Sequence, residues 1–351
     1  MGTEVIARNA LAACAGVLLA LLASPVLADD RLTVIGGSSP AGFFEVIDHV
    51  AELGGFFKQE HLIVDKQYMT AAGAAAQLVG SGKAEVYSGS VEPLLLGYSK
   101  GLRLQMFLGG DPQYDYVLGV PVDSPIKSLE DFKGKEIGEI IGGSAAEISL
   151  QSMLAGVGLS KSDYSVVSIG VGPQALSAIV SGKVAGAAFP SVELVLEGVQ
   201  GNVKFRFFRH PILKDIGNVA WAASPATIAA RPDVLRRYSR ALVKAAILIH
   251  ENPELAARYF VEGSGAKVTD KAVADEAEVL RLLPDDLPAV KPMSKKIGYI
   301  APAGIELLSK FLVDGGLIPA AVPAAVVSNQ FIDFANAFDH RAFIAQVKGK
   351  S

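Results

Sequence analysis

The sequence Ile-Gly-Gly-Ser occurs twice in this chain, at residues 141–144 and at residues 35–38. A short apolar stretch that predicts a β-strand precedes each copy, and an apolar-periodic stretch that predicts a helix follows it. Each copy is followed later by Ser-Gly-Lys, at residues 81–83 and 181–183. Because the two motifs recur in the same order about one hundred residues apart, the sequence predicts two similar lobes built from β-α-β units.

The two Gly-Gly-Ser turns offer a way to bind a ligand through backbone groups. A strand that turns into a helix leaves the first N–H groups of that helix without partners. Two such turns facing each other would form a small polar site. The alternative is that each turn only caps its helix, since Ser144 followed by Glu147 is a capping box. The occurrence of a pair favours the ligand-binding interpretation.

Composition and the first residues indicate an exported protein. The 351 residues carry a formal net charge of −4, which gives no basic excess of the kind that binds nucleic acid. Residues 1–28 contain Arg8, an apolar run at residues 10–22, and a small-residue site that ends at Ala28. This order is typical of a secretory signal peptide, and we expect cleavage after Ala28.

Cysteine and histidine usage argues against several kinds of chemistry. The only cysteine, Cys14, lies in a stretch that resembles a lipoprotein cleavage box, but cleavage there would leave the apolar residues 16–27 exposed. Cleavage after Ala28 leaves no cysteine, hence no disulfide and no thiol nucleophile. The five histidines show no metal-binding spacing, and no Gly-x-Ser-x-Gly motif occurs. We expect no catalytic residues, no metal and no cofactor.

Further candidate residues follow the predicted strands and begin the helices. Ser88, Gly89 and Ser90 follow a strand at residues 85–87, and open α/β sheets bind ligands at the carboxyl ends of their strands. Phe43 lies in the first turn of the helix after the first tetrapeptide, where it would form either a pocket wall or core. The longest predicted helix, residues 231–250, carries repeated basic residues that we interpret as an exposed face.

Four stretches also match a known family. They are residues 54–62, where His61 stands in place of the family's glycine, and residues 72–90, 122–135 and 142–145. Over about residues 32–260 the chain resembles the type II periplasmic solute-binding proteins of ABC importers. It resembles the branch that holds nitrate-, taurine-, alkanesulfonate- and thiamine-precursor-binding proteins.

The resemblance implies a two-lobed α/β fold, the type II periplasmic-binding-protein fold. Each lobe would be a mixed, mostly parallel sheet flanked by helices, and two hinge strands would join the lobes and permit closure around a ligand. The predicted division gives residues 1–28 to the signal peptide, residues 29–117 and 219–351 to the first lobe, and residues 118–218 to the second lobe.

The resemblance further implies a periplasmic receptor that acts as a monomer and binds no nucleic acid. It would bind a small organic solute (a sulfonate, a carboxylate or a pyrimidine-like molecule) between its lobes and deliver it to an inner-membrane ABC permease. One alternative is an enzyme like the thiamine-pyrimidine synthases, whose cysteine-rich motif this chain lacks after Cys14. Another is a ligand-sensing partner of a membrane kinase, which the sequence does not separate from transport.

The ligand-facing positions come mostly from the resemblance, with Phe43 added from the pattern itself. Many relatives carry Trp-Asp/Glu-Pro where residues 189–191 here read Phe-Pro-Ser, which weighs against an amine such as taurine. None of the candidate positions holds Lys or Arg. The candidate ligand-binding residues are Ser38, Ser39, Phe43, Ser88, Gly89, Ser90, Tyr114, Gly143, Ser144, Ala145, Phe189 and Glu193.

Overall fold

The computed structural model describes most of the chain beyond the predicted signal peptide. The described residues are 29–38, 42, 45–69, 71–110, 115–209, 217, 219–286 and 296–350, with the backbone alone at 145 and 282–286. Three candidate residues, Ser39, Phe43 and Tyr114, lie outside the described residues, as does the predicted signal peptide.

The described strands form two five-stranded sheets. The strands are β1 (Asp30–Gly36), β2 (Leu62–Tyr68), β3 (Val86–Ser90), β4 (Gln105–Gly109), β5 (Tyr116–Pro121), β6 (Glu136–Glu139), β7 (Ser165–Ser168), β8 (Ala187–Pro190), β9 (Phe205–Phe208) and β10 (Val219–Ala223). The first sheet has the order β2-β1-β3-β10-β4, and the second has the order β7-β6-β8-β5-β9.

The two sheets share one plan. In the first sheet β1 pairs in parallel with β2 and β3, and only β10 runs antiparallel to its neighbours. In the second sheet β6 pairs in parallel with β7 and β8, and only β5 runs antiparallel. The predicted pair of mixed, mostly parallel sheets is therefore confirmed. Since β5 follows β4 and β10 follows β9, the chain crosses between the sheets twice.

Helices cover both sheets. They are α1 (Val46–Leu53), α2 (Phe56–Gln59), α3 (Ala72–Gly80), α4 (Glu92–Ser99), α5 (Ala145–Gly156), α6 (Pro173–Val180), α7 (Ser191–Gly201), α8 (Pro225–Ala230), α9 (Pro232–Glu251), α10 (Pro253–Gly263), α11 (Asp270–Asp286), α12 (Pro302–Asp314), α13 (Ile332–Ala335) and α14 (His340–Lys348). Leu32 and Val34 of β1 are fully buried, as expected for a strand with helices on its faces. None of the described helices combines the length and the apolar character that a membrane span requires.

The basic residues of α9 do not form the exposed face that the sequence suggested. Arg237 is only 8% exposed. Its guanidinium lies 2.5 Å from an Asp30 carboxylate oxygen and 2.8 Å from one of Asp233, and it donates to the Glu60 carbonyl at 2.6 Å. Arg236 is exposed as the sequence suggested, whereas Arg240 and Lys244 are only partly exposed. The prediction was wrong for Arg237, because Asp233 of the same helix and the distant Asp30 pair with its buried guanidinium, so that α9 is tied to the start of β1.

The C-terminal helices contact elements of both sheets. Helix α9 packs against α1, next to the first sheet, whereas α11 packs against α7 and α12 packs against α5. Since α5 and α7 follow strands of the second sheet, the last third of the chain contacts helices that belong to both sheets. The predicted assignment of residues 219–351 to one lobe remains a prediction.

Candidate functional site

The carboxyl ends of the two sheets meet at the first crossing. Ser90, the last residue of β3, has its hydroxyl 2.5 Å from the hydroxyl of Tyr116, the first residue of β5. The Asp115 carboxylate accepts hydrogen bonds from the backbone N–H of Ser191, at 3.0 Å, and from its hydroxyl. Ser191 directly follows β8, so residues of the crossing join the carboxyl end of β3 to that of β8. This is the edge at which open α/β sheets bind ligands.

The first Gly-Gly-Ser turn lies beside this meeting point and against a buried carboxylate. The N–H of Gly37 donates to the Ser88 carbonyl at 2.8 Å. The Ser38 hydroxyl donates to Glu45 Oε1 at 2.9 Å. A Cβ at Gly36 would lie only 2.7 Å from the same oxygen. A side chain at Gly36 would therefore force the Glu45 carboxylate to move.

A charged cluster extends from Glu45 beneath the first turn. The Lys66 ammonium lies 2.8 Å from Glu45 Oε2, 2.7 Å from Asp48 Oδ2 and 2.7 Å from Ser88 Oγ. Asp48 also accepts a hydrogen bond from the Tyr238 hydroxyl at 2.9 Å. An ammonium has three N–H groups, so the two carboxylates and the serine use all of them.

This cluster holds two acidic groups and one basic group. Burial raises the pKa of Glu45, Lys66 acts to lower it, and Asp48 raises it further. Burial alone would lower the pKa of Lys66, but Asp48 and Glu45 more than offset burial, and the pKa is raised. One ammonium therefore faces two carboxyl groups, and this part of the site offers no unpaired positive charge to an anion.

The second Gly-Gly-Ser turn caps α5 as predicted, except that the glutamate bonds the N–H of Gly143 and not that of the N-cap residue Ser144. Ser144 Oγ accepts from the N–H of Glu147 at 3.2 Å, and the Glu147 carboxylate accepts from the N–H of Gly143 at 2.6 Å. Gly143 has a φ of +77°, which favours glycine. The N–H groups of Gly143 and Glu147, which the sequence suggested for a ligand, thus already donate to side chains of the chain itself.

A second buried carboxylate lies beside this turn. Glu139, the last residue of β6, is 3% exposed. Its nearest described polar partners are the hydroxyls of Ser144 and Ser168, at 3.5 and 3.4 Å, beyond the usual range for such bonds. Burial and the nearby Glu147 raise the pKa of Glu139. Each tetrapeptide thus has a serine directed at a buried glutamate, Glu45 in one sheet and Glu139 in the other.

The structure brings together only part of the candidate set. Ser38 and Ser88–Ser90 are adjacent at the ends of β1 and β3, and a Cβ at Gly89 would lie 3.4 Å from Gly37 Cα. Gly143, Ser144 and the backbone of Ala145 form the start of α5.

Two candidates lie next to other parts of the fold. Phe189 is fully buried in the core of the second sheet, next to Val117 and Leu194. Glu193, in the first turn of α7, lies close enough to Glu276 of α11 to raise the pKa of that carboxyl. Whether any candidate residue contacts a ligand remains a prediction.

Sequence reasoning missed the charged residues of the site. Lys66 lies on the same face of β2 as Leu62 and Val64, because alternate residues of a strand share a face. That position could have marked Lys66 as inward-facing. Nothing in the sequence indicates that residues 45 and 48 would be its partners. Among the described residues, no group of three or more His, Asp, Glu or Cys side chains is placed to hold a metal ion.

The family follows from comparison with known proteins. The family model described as NMT1/THI5 like matches residues 46–256, more than half of the chain. The chain belongs to this family. No curated protein sequence matches the chain.

Solved structures with the same fold include sulfonate-binding proteins. A protein from Bordetella bronchiseptica RB50 is 21% identical, with a TM-score of 0.68 over 87% of this chain and 96% of that chain. The alkanesulfonate-binding protein SsuA from Xanthomonas axonopodis pv. citri, bound to MOPS, is 18% identical, with a TM-score of 0.62 over 86% and 99%. The periplasmic aliphatic sulphonate binding protein SsuA from Escherichia coli is 16% identical, with a TM-score of 0.63 over 85% and 92%. Because the sequence identities are low, these similarities establish the fold alone. They confirm the predicted two-lobed architecture.

Proposed function

We propose that this protein is the periplasmic receptor of an ABC importer, which binds a small organic solute between its lobes and delivers it to an inner-membrane permease. Its family and its fold support this proposal, because the two SsuA proteins of the same fold are binding proteins. The receptor would act as a monomer after loss of its signal peptide.

The observation that carries the proposal is that the carboxyl ends of the strands in the two sheets meet where the chain first crosses between them. Ser90 of the first sheet contacts Tyr116 of the second, and Asp115 holds Ser191 at the start of α7. A chain that crosses twice between two sheets can bend at the crossings and close the two edges around a solute. A receptor needs hydrogen-bond groups and enclosing walls at this position, whereas an enzyme needs in addition a group that performs chemistry.

Thermal unfolding of the purified protein against a panel of solutes tests this function. The panel contains nitrate, aliphatic sulfonates, taurine, pyrimidines, aromatic carboxylates and alkylamines. A solute at one hundred times its dissociation constant adds about 2.7 kcal/mol to the free energy of unfolding. For a chain of this size the midpoint then rises by about 5 °C or more. The protein is first unfolded and refolded to remove any ligand that co-purifies.

Two further measurements separate the alternatives. Chromatography of the hit after incubation with the protein should return it unchanged, and a product would support an enzyme instead. Uptake of the labelled hit by cells should be lost when the gene is deleted, whereas a sensor would leave uptake intact. If no class of solute binds to protein freed of ligand, the proposed receptor function is wrong.

A further inference from the structure

We propose that the solute carries a positively charged amine, which the cleft binds through the carboxylate of Glu139. This inference rests on the proposed receptor function and assigns a substrate class to the same cleft. This substrate class differs from the sulfonates of the SsuA proteins. It also differs from the sequence-based expectation, which weighed against an amine.

The charges at the two turns favour a cation. Their described polar groups include the carboxyl groups of Glu45, Asp48, Glu139 and Glu147 against the ammonium of Lys66. Lys66 has no N–H left for a ligand, since Glu45, Asp48 and Ser88 accept all three. A sulfonate or carboxylate placed here would therefore find no free ammonium among these groups, whereas a ligand ammonium would find acidic groups with which it can pair.

Glu139 is a buried acidic residue of this set whose described partners are two long hydrogen bonds from serine hydroxyls. It is 3% exposed, and no Lys or Arg among the described residues forms an ion pair with it. The two serine hydroxyls near it, at 3.4 and 3.5 Å, are too distant for strong hydrogen bonds. A buried carboxylate without a cation or strong donors is costly for the folded protein. A ligand ammonium that reached it would complete the missing pair.

The turn in front of Glu139 leaves a route for such a group. Gly142 is exposed, and a Cβ built there would lie 3.7 Å from Glu139 Oε1 and would meet no other atom within 4 Å. The absence of a side chain at Gly142 therefore leaves the carboxylate approachable from the cleft. A larger side chain at this position would stand between Glu139 and the solute.

Apolar residues at the same edge suit an alkyl chain attached to the amine. Ile141 and Val171, which follow β6 and β7, are 48% and 51% exposed. Exposed apolar side chains beside a charged group fit a ligand with a charged head and an apolar body. The chemical class is therefore an alkylamine.

Calorimetric titration with three probes of matched shape tests the charge of the ligand. The probes are butylamine, butane-1-sulfonate and butan-1-ol, each titrated into the refolded, ligand-free protein. We expect butylamine to bind at least tenfold more tightly than the other two. Tighter binding of the sulfonate would overturn the amine assignment while it supported the receptor function. Failure of butylamine to bind also overturns the assignment, and the receptor function falls only if the whole solute panel fails as well.

Three variants test the position of the amine. Glu139→Gln should weaken butylamine binding by about thirtyfold or more, since it removes one partner of a desolvated charge pair. Glu136→Gln, on the exposed first residue of the same strand, is the matched control and should bind like the parent. Gly142→Leu should also weaken butylamine, and its backbone φ lies outside the left-handed region, so the variant is expected to fold. If Glu139→Gln and Gly142→Leu both bind butylamine as the parent does, the amine lies elsewhere and the assignment is wrong.

Discussion

Lys66 is a largely buried lysine whose neighbours explain why its ammonium can remain charged. Its ammonium lies within 2.8 Å of Glu45, Asp48 and Ser88, and the two carboxyl groups are almost fully buried. Removing the ammonium would leave both carboxyl groups without their cation. The loss of one partner from a buried ion pair is far more costly than the net value of the pair suggests.

We therefore expect Lys66→Met to lower the free energy of unfolding by about 3–5 kcal/mol. The loss should be smaller at pH 5 than at pH 8, because the orphaned carboxyl groups can take up protons at the lower pH. Urea unfolding at the two pH values measures both effects. Lys83→Met, at an exposed lysine, is the matched control and should change stability little. An equal loss at both pH values would contradict this account of the cluster.

At the residue scale the sequence predicts positions better than it predicts partners. Ser88 and Ser90 could be proposed because they follow an apolar stretch, although the structure extends β3 through both of them, so that Ser90 is its last residue. The pairing of Lys66 with Glu45 and Asp48 could not be proposed, because it depends on how α1 packs against the sheet. The same limit applies to Glu139, whose neighbours come from a different strand and a different helix.

At the scale of elements, His61 at the junction between α2 and β2 has a strained backbone conformation. His61 has a φ of +53°, in the left-handed region that favours glycine. The resembling family has glycine at this position. The His61 ring lies 3.6 Å from the Asp29 carboxylate, but both side chains are about half exposed, so this contact adds little.

His61→Gly should therefore stabilise the protein, by about 0.5–1 kcal/mol, because relief of the left-handed strain outweighs the greater freedom of glycine in the unfolded chain. The midpoint of thermal unfolding measures the change. His61→Ala is the matched control: it removes the same ring but keeps the Cβ, and it should not stabilise. If the alanine and glycine variants are equally stable, the strain is not the cause.

The order of the strands and helices could largely be predicted from the sequence. Which residues of each helix are buried was harder to predict. The repeated tetrapeptide and the apolar strands before it predict two lobes of β-α-β units, and the family resemblance implies the mixed, mostly parallel sheets that the structure has. The burial of Arg237 was not predictable, since basic residues on a helix usually face solvent. Its partner Asp30 lies more than two hundred positions away in the sequence.

At the scale of the whole molecule, the contact between α7 and α11 links the second sheet to the C-terminal helices. Glu276 of α11 is buried there, and its Oε1 has no hydrogen-bond partner among the described residues. Burial, with Glu193 of α7 and Asp275 adding to it, raises the pKa of Glu276 to about 8. Burial also raises the pKa of Glu197 on α7 to about 7.

These raised pKa values predict that stability falls as the pH rises. In the unfolded chain the Glu276 carboxyl has its ordinary pKa of 4.5, so between that value and about 8 the folded state binds the extra proton. The resulting stability is fully present below pH 4.5 and is lost as the pH rises through 8. Glu276→Gln removes this titration and should raise the free energy of unfolding at pH 8 by about 1–3 kcal/mol, with little change at pH 4.5. Urea unfolding across this pH range tests the expectation. Glu278→Gln, exposed on the same helix, is the matched control. If the free energy of unfolding of Glu276→Gln changes with pH in parallel with that of the parent, Glu276 is ionised in the folded protein and the expectation is wrong.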